Sequence, residues 1–295
     1  MTKATIVGTT SWGITLGGVL AGKGYHVDIW ARTEAEANDS TRKHNGHCKL
    51  RYVCSPSEAV EDSNLVIWAV PAQSLRQNVR HFRNLIDPST ILVNAAKGIE
   101  AHTGKRMTEV MAEELDPSSW SKICVLSGPN LAREVAQGLP ATAVVAARET
   151  KTALAAQEIL NTPDFRVFTS SDVIGVELCG ALKNIIALGA GIVDGMELGD
   201  NAKGAFIALG WAEMVSVGRA CGADEATFYG VAGIGDLFAT CSSPLSRNHT
   251  VGCELARGRP LADIMADTHN VAEGIDTTVG LMNLARTLKL ELPIT

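Results

Sequence analysis

ATIVGTTSWGITLGGVLAGKGYHVDIW, residues 4–30, reads as strand, glycine turn, helix and strand. Ala4 to Val7 is a short run suited to a buried strand, and GTTSWG (Gly8 to Gly13) follows it. A helical stretch then reaches Ala21, and after a glycine turn Val27 to Trp30 gives the second strand. That order within about 30 residues marks a dinucleotide-binding unit, in which the amides at the helix N-terminus face an anion. Gly8 and Gly13 hold the first and third fingerprint positions, and Thr10 replaces the middle glycine. Because the middle position lets backbone approach a pyrophosphate, Thr10 is expected to crowd that group or to shift it.

NAD-specific chains place Asp or Glu at the end of the second strand, against the ribose hydroxyls. Here the strand ends at Trp30 and Ala31-Arg32-Thr33 follows, while Asp28 comes too early and points into the sheet. Arg32 is placed to stack on adenine or to meet a 2′-phosphate. NADP is therefore open and strict NAD use is not indicated. The plainer alternative is a solvated arginine at a helix start.

Strands continue to alternate with helices. Leu65 to Val70, Ile91 to Val93, Ile123 to Leu126, Ala141 to Ala147 and Phe165 to Thr169 read as strands. Gln73 to Ile86, Arg106 to Leu115 and a stretch through Leu160 read as helices. This alternation predicts an α/β fold with a mostly parallel sheet covered on both faces, binding its ligands beyond the carboxyl ends of the strands. Pro71, Lys97 and the turn from Ser127 to Asn130 fall at such ends. From Ser170 onward the strand signal vanishes, and helices are predicted at 172–193, 201–220, 224–229, 245–257, 260–266 and 272–289. The chain thus divides into a nucleotide-binding domain over 1–170 and an all-α domain over 171–295.

The first helix of that second domain contains GVELCGALKNIIALGAG, Gly175 to Gly191. It is apolar on almost every side, the mark of a buried helix, yet it carries Glu177, Lys183 and Asn184. A buried lysine must be paired, hydrated or functional, unless it snorkels out to solvent. Glycines at 175, 180, 189 and 191 each weaken a helix by roughly 1 kcal/mol relative to alanine, which points to close backbone packing or a bound ligand.

A second cluster runs from Gly230 to Gly258, GVAGIGDLFATCSSPLSRNHTVGCELARG. Gly233-Ile-Gly235-Asp236 reads as a tight turn delivering a carboxylate, with simple helix capping as the alternative role for Asp236. A helix starts near Ser246, so Arg247 and Asn248 lie in its first turn. The helix dipole disfavours arginine there, and its presence makes sense if a phosphate binds at the same point.

Composition limits the field. The chain of 295 residues is 46% hydrophobic and 20% charged, with a formal charge of −6. No basic surface for nucleic acid or an anionic membrane is advertised. Seven cysteines, at 48, 54, 124, 179, 221, 241 and 253, show no C-x-x-C spacing, and they read as free thiols without a metal site. No signal peptide or membrane span is read, so a cytoplasmic location is expected.

Taken together, SWG at 11–13, AKGIE at 96–100, SGPN at 127–130, ELCGALKNIIALGAGIVDG at 177–195, GIGDLFATCSSPLSRN at 233–248 and VAEG at 271–274 resemble the bacterial NAD(P)-dependent glycerol-3-phosphate dehydrogenases. The resemblance implies a Rossmann-like first domain and a second domain like the C-terminal domain of 6-phosphogluconate dehydrogenase. It implies NAD or NADP as cofactor, hydride exchange with dihydroxyacetone phosphate or glycerol 3-phosphate, and a supply of glycerol 3-phosphate for phospholipid synthesis. Carried over residue by residue, Lys183 exchanges the proton at the substrate oxygen, with Lys97 and Asp236 as its catalytic partners. Lys97, Gly128, Asn130, Lys183, Asp236, Ser246, Arg247 and Asn248 hold the substrate. Gly8, Ser11, Trp12, Gly13, Arg32, Lys97, Ala132, Arg247, Val271 and Glu273 hold the cofactor.

Three departures from the family pattern stand out: Thr10, Asn130 where Ser or Thr is usual, and an end at Thr295 short of the family's final helices. Apolar surface those helices would cover is then open or buried in a homodimer. The competing readings are a reductase of another small hydroxy acid, such as a ketopantoate-type enzyme, and a non-catalytic nucleotide-binding relative.

Overall fold

The computed structural model describes residues 2–43, 50–267 and 272–295. The chain packs as two compact units. The first consists of Met1–Ala96, Met107–Leu126 and Ala132–Val173, and the second of Lys97–Arg106, Ser127–Leu131 and Ile174–Thr295.

The first unit carries one sheet built from β1 (Lys3–Val7), β2 (His26–Trp30), β3 (Leu50–Val53), β4 (Leu65–Trp68), β5 (Ile91–Asn94), β6 (Ile123–Ser127), β7 (Ala141–Ala147) and β8 (Phe165–Ser170). The strand order is β3-β2-β1-β4-β5-β6-β7-β8. Neighbours from β3 through β6 run parallel, as do β7 and β8. The helices of this unit are α1 (Ser11–Gly22), α2 (Glu34–Lys43), α3 (Pro56–Val60), α4 (Leu75–Phe82), α5 (Met107–Glu114), α6 (Ala132–Ala136) and α7 (Thr150–Leu160). Two apolar clusters lie against the sheet, one including Leu16, Leu20 and Phe165 and the other Trp68, Leu75 and Phe82.

The central strands are apolar on both faces, so their hydrophobic runs announce them. Elements α2, β3, α3 and α6 are not announced this way. The sequence of α2, EAEANDSTRK, is almost wholly polar, and β3 is a four-residue edge strand with partial burial. Helix α3 is a short segment defined by its cap, where Ser55 Oγ accepts the Glu58 N–H and Pro56 opens the first turn. Asp28 does lie within the sheet. It pairs with Lys3 at 2.9 Å and Arg51 at 2.8 Å on the flanking strands. Burial pushes its carboxyl upward, but the hydrogen bonds from Arg51 and Lys3 prevail and hold it below the usual range.

The second unit is helical, with α8 (Val173–Gly195), α9 (Gly199–Ala220), α10 (Glu225–Phe228), α11 (Asp236–Ser242), α12 (Arg247–Ala256), α13 (Leu261–Asp267) and α14 (Glu273–Leu288). The tight turn expected at Gly233–Asp236 is corrected. Val231–Gly235 forms a single π-helical turn, and Asp236 is the first residue of α11. A glycine-rich stretch can wind this tightly, and a Cβ at Gly233 would collide with the Phe228 backbone.

Among the described residues, α8 alone is long and apolar enough to cross a membrane, but 83% of that window is buried inside the protein. Its glycines serve close packing. A Cβ at Gly180 would strike Ser127 Oγ, one at Gly189 the Phe206 ring on α9, and one at Gly191 the His249 carbonyl on α12. Gly252 of α12 answers from the other side, where a Cβ would strike the Leu188 carbonyl.

Candidate functional site

In the second unit, Lys183 lies on the buried α8 and is 8% exposed. It does not snorkel: its Nζ donates to Asp236 Oδ1 at 2.5 Å and to Thr240 Oγ1 at 2.7 Å. The other Asp236 oxygen, Oδ2, accepts from Lys97 Nζ at 2.8 Å. Lys97 also donates to the Gly128 carbonyl at 2.9 Å. One buried carboxylate therefore spaces two ammonium groups. Desolvation lowers the pKa of Lys183, Asp236 opposes this, the Lys97 charge lowers it further, and the result is about 8.

Local sequence explains the delivery of each group. Asn94, at the end of β5, accepts the Ala96 N–H with its side-chain oxygen at 3.1 Å, folding the turn from which Lys97 emerges. Gly128 adopts φ +142, a conformation that favours glycine, directly after β6. Arg106 and Glu177 form an ion pair at 2.8 Å that ties the far end of the Lys97 segment to α8. The Asn184 side-chain amide donates to the Lys97 carbonyl at 3.1 Å.

Ser246 is the N-cap of α12, accepting the His249 N–H at 3.4 Å, and Arg247 is the exposed first residue. Asn248 is buried. It donates to Asn184 Oδ1 at 3.0 Å and accepts the Gly274 N–H at 3.0 Å. The second unit thus brings together Lys97, Gly128, Asn130, Lys183, Asp236, Ser246, Arg247 and Asn248 as members of one compact body. Glu273 opens α14 in the same unit. Val271 lies outside the described residues.

Gly8, Ser11, Trp12, Gly13, Arg32 and Ala132 belong to the first unit. Gly8 has φ +110, and a Cβ at Gly13 would lie 2.7 Å from the Gly8 carbonyl. Both positions therefore require glycine, for the turn and for the packing of α1 on β1. Thr10 occupies ordinary extended backbone (φ −65, ψ 155) and caps α1. Its hydroxyl accepts the Gly13 N–H at 3.1 Å and donates to the Ala69 carbonyl at 2.6 Å. The Thr15 hydroxyl donates to the Ala132 carbonyl at 3.2 Å, joining α6 to α1. Trp12 Nε1 is a buried donor with no hydrogen-bond partner among the described residues. A glycine at positive φ, the N-terminus of a capped helix and an unmet donor together fit a phosphate-bearing dinucleotide.

Thr240 was not marked by the sequence reading. It stands four residues after Asp236 on α11, so reading that stretch as a helix would have placed both on one face. Glu36 was also missed because α2 was. Its carboxylate accepts from Arg32 and Thr9.

The family model described as the NAD-dependent glycerol-3-phosphate dehydrogenase N-terminus matches residues 3–153, and the corresponding C-terminus model matches residues 172–295. A glycerol-3-phosphate dehydrogenase (NAD(P)+) of Dehalococcoides mccartyi is 49% identical, over 100% of this chain and 85% of its own. One from Streptomyces avermitilis is 45% identical, over 99% and 90%. The crystal structure of glycerol-3-phosphate dehydrogenase from Coxiella burnetii superposes with a TM-score of 0.93 at 32% identity, covering 99% of this chain and 92% of the other.

Proposed function

Because the chain belongs to the NAD-dependent glycerol-3-phosphate dehydrogenase family, we propose that residues 1–170 hold the nucleotide and that residues 171–295, with Lys97 and Gly128 to Asn130, handle the substrate. The protein is an NAD(P)-dependent oxidoreductase, and its reaction interconverts dihydroxyacetone phosphate and sn-glycerol 3-phosphate. The nicotinamide, when bound, supplies or accepts the hydride at the substrate's central carbon.

The protein's own residues manage charge and protons. As the carbonyl is reduced, its oxygen becomes an alkoxide, which the two ammonium groups stabilise and Lys183 protonates. In the reverse direction neutral Lys183 removes the hydroxyl proton. A pKa of about 8 keeps both forms accessible near neutrality. Asp236 keeps the lysines apart and oriented, and Thr240 fixes a second Lys183 donor direction. Ser246, Arg247 and Asn248 receive the phosphate at the start of α12, where the guanidinium and the free amides act together. Gly128 and Asn130 line the same pocket. Gly8, Ser11, Trp12, Gly13, Arg32, Ala132, Val271 and Glu273 serve the nucleotide, with Lys97 and Arg247 meeting both ligands.

The observation that carries this reading is the shared carboxylate of Asp236 between two lysines. On the same reading the enzyme works in the cytoplasm and supplies glycerol 3-phosphate to phospholipid synthesis. It assembles as a homodimer that covers apolar surface such as the exposed Phe238 and Leu209. The test is oxidation of NADH and NADPH by the purified chain with dihydroxyacetone phosphate, set against unphosphorylated dihydroxyacetone. Turnover that depends on the phosphate is expected. Equal turnover with both substrates would remove α12 as a phosphate site.

A further inference from the structure

Strand β2 ends at Trp30 with no acid in place, yet a carboxylate reaches that strand end from another element. Glu36, in the first turn of α2, accepts the Arg32 backbone N–H on Oε2 at 3.1 Å and faces Arg32 Nε at 3.3 Å. Its other oxygen accepts the hydroxyl of Thr9, which follows the first glycine of the cofactor turn. The carboxylate is thus held between the end of β2 and the glycine turn, where dinucleotide folds read the adenosine ribose. The Arg32 side chain beside it is 76% exposed.

We propose that Glu36 and Arg32 form a coupled reader of the nucleotide 2′ position, in which Glu36 accepts an unphosphorylated 2′-hydroxyl and restrains Arg32 from a 2′-phosphate. The inference rests on the reading that the first unit binds the nicotinamide nucleotide. Burial alone raises the Glu36 pKa, but the Thr9 hydroxyl and the Arg32 contacts outweigh it and keep the carboxyl below its usual value. The group is therefore an anion at neutral pH. An anion repels a 2′-phosphate and accepts a hydroxyl, so NADH is favoured over NADPH. The arginine is already present, so removing the Glu36 charge releases a phosphate-binding group without adding one.

The test is calorimetric titration of the intact chain with NADH and with NADPH, without substrate. The wild-type chain is expected to bind NADH more tightly. Glu36→Gln keeps the side-chain shape and should move the affinity ratio toward NADPH by about tenfold or more, the usual worth of a single hydrogen bond to a charged group. Glu36→Asp, whose carboxylate falls short of Thr9 and the Arg32 amide, should move it the same way by less. Adding Arg32→Ala to Glu36→Gln should cancel the gain. A ratio unmoved in both Glu36 variants overturns the proposal, as does tighter NADPH binding by the wild type. If the wild-type chain binds neither nucleotide, the nucleotide-binding reading fails and the proposal fails with it.

Discussion

The ammonium of Lys183 lies 2.5 Å from Oδ1 of Asp236 inside a helical unit, and Oδ2 of the same carboxylate carries Lys97 at 2.8 Å. One acid thus serves two bases. Lys183→Ala should reduce turnover by about 10²–10⁴-fold, the usual contribution of a positioned proton donor. The NADH dissociation constant should stay nearly unchanged, because the nucleotide turn lies in the other unit. Steady-state rates and calorimetry on one preparation check both parts, and substantial residual turnover would move the proton-transfer role elsewhere.

The sign of the pH dependence follows from the same pair. Reduction needs the protonated lysine, so its rate should fall as pH rises through about 8. Oxidation needs the neutral lysine and should rise over that range. Asp236 raises the pKa of Lys183, so Asp236→Asn should shift both midpoints to lower pH. Profiles recorded in both directions test this, and midpoints that stay fixed would assign the titration to another group.

Arg247→Ala should act mainly on substrate affinity. Loss of a charged hydrogen-bonding group costs about 2–3 kcal/mol, read as a raised KM for dihydroxyacetone phosphate. If that KM is unchanged, the phosphate is recognised elsewhere.

Glycine positions divide sharply by context. Gly191→Ala should destabilise the protein and impair turnover, since its Cβ would collide with the His249 carbonyl and push α12 from α8. A Cβ at Gly18 of α1 would meet no packed neighbour within 4 Å among the described residues, so Gly18→Ala should stabilise by about 0.4–1 kcal/mol. Urea unfolding of the two variants should move in opposite directions.

Thr10 caps α1, so Thr10→Ala should lower stability by about 1 kcal/mol and Thr10→Gly by only a few tenths. Neither change should tighten NADH binding, because the loop already accommodates the threonine in unstrained backbone. Tighter binding by Thr10→Gly would mean that the threonine crowds the pyrophosphate.

Much of the fold was legible because its central strands are buried on both faces, and such strands show as apolar runs in the sequence. The segment from Ala31 to Asn64 was opaque for the opposite reason: α2 is polar, β3 is an edge strand and α3 is set by a cap. Buried Lys183 was conspicuous because charge is costly in an apolar helix. Its partners were less visible. Asp236 appeared as the product of a turn, since the glycines before it suggest a break in the chain, and the π-helical winding instead carries the backbone into α11. Thr240 and Glu36 were hidden by those local misreadings, while Arg32 was noticed without the carboxylate that restrains it. Hydrogen bonds across 57 residues, as between Lys183 and Thr240, leave no periodic trace in a sequence.

The second unit is built from three separate pieces of chain, two of them short excursions from the strand ends of the first. A gene cut near codon 170 would therefore separate Lys97 and Gly128 from Lys183, and neither fragment would encode the whole lysine pair. Exchange of substrate domains between related dehydrogenases faces the same obstacle. A working chimera must transplant Lys97–Arg106 and Ser127–Leu131 along with the C-terminal helices, so recombination at a single junction yields a hybrid with a mismatched catalytic set.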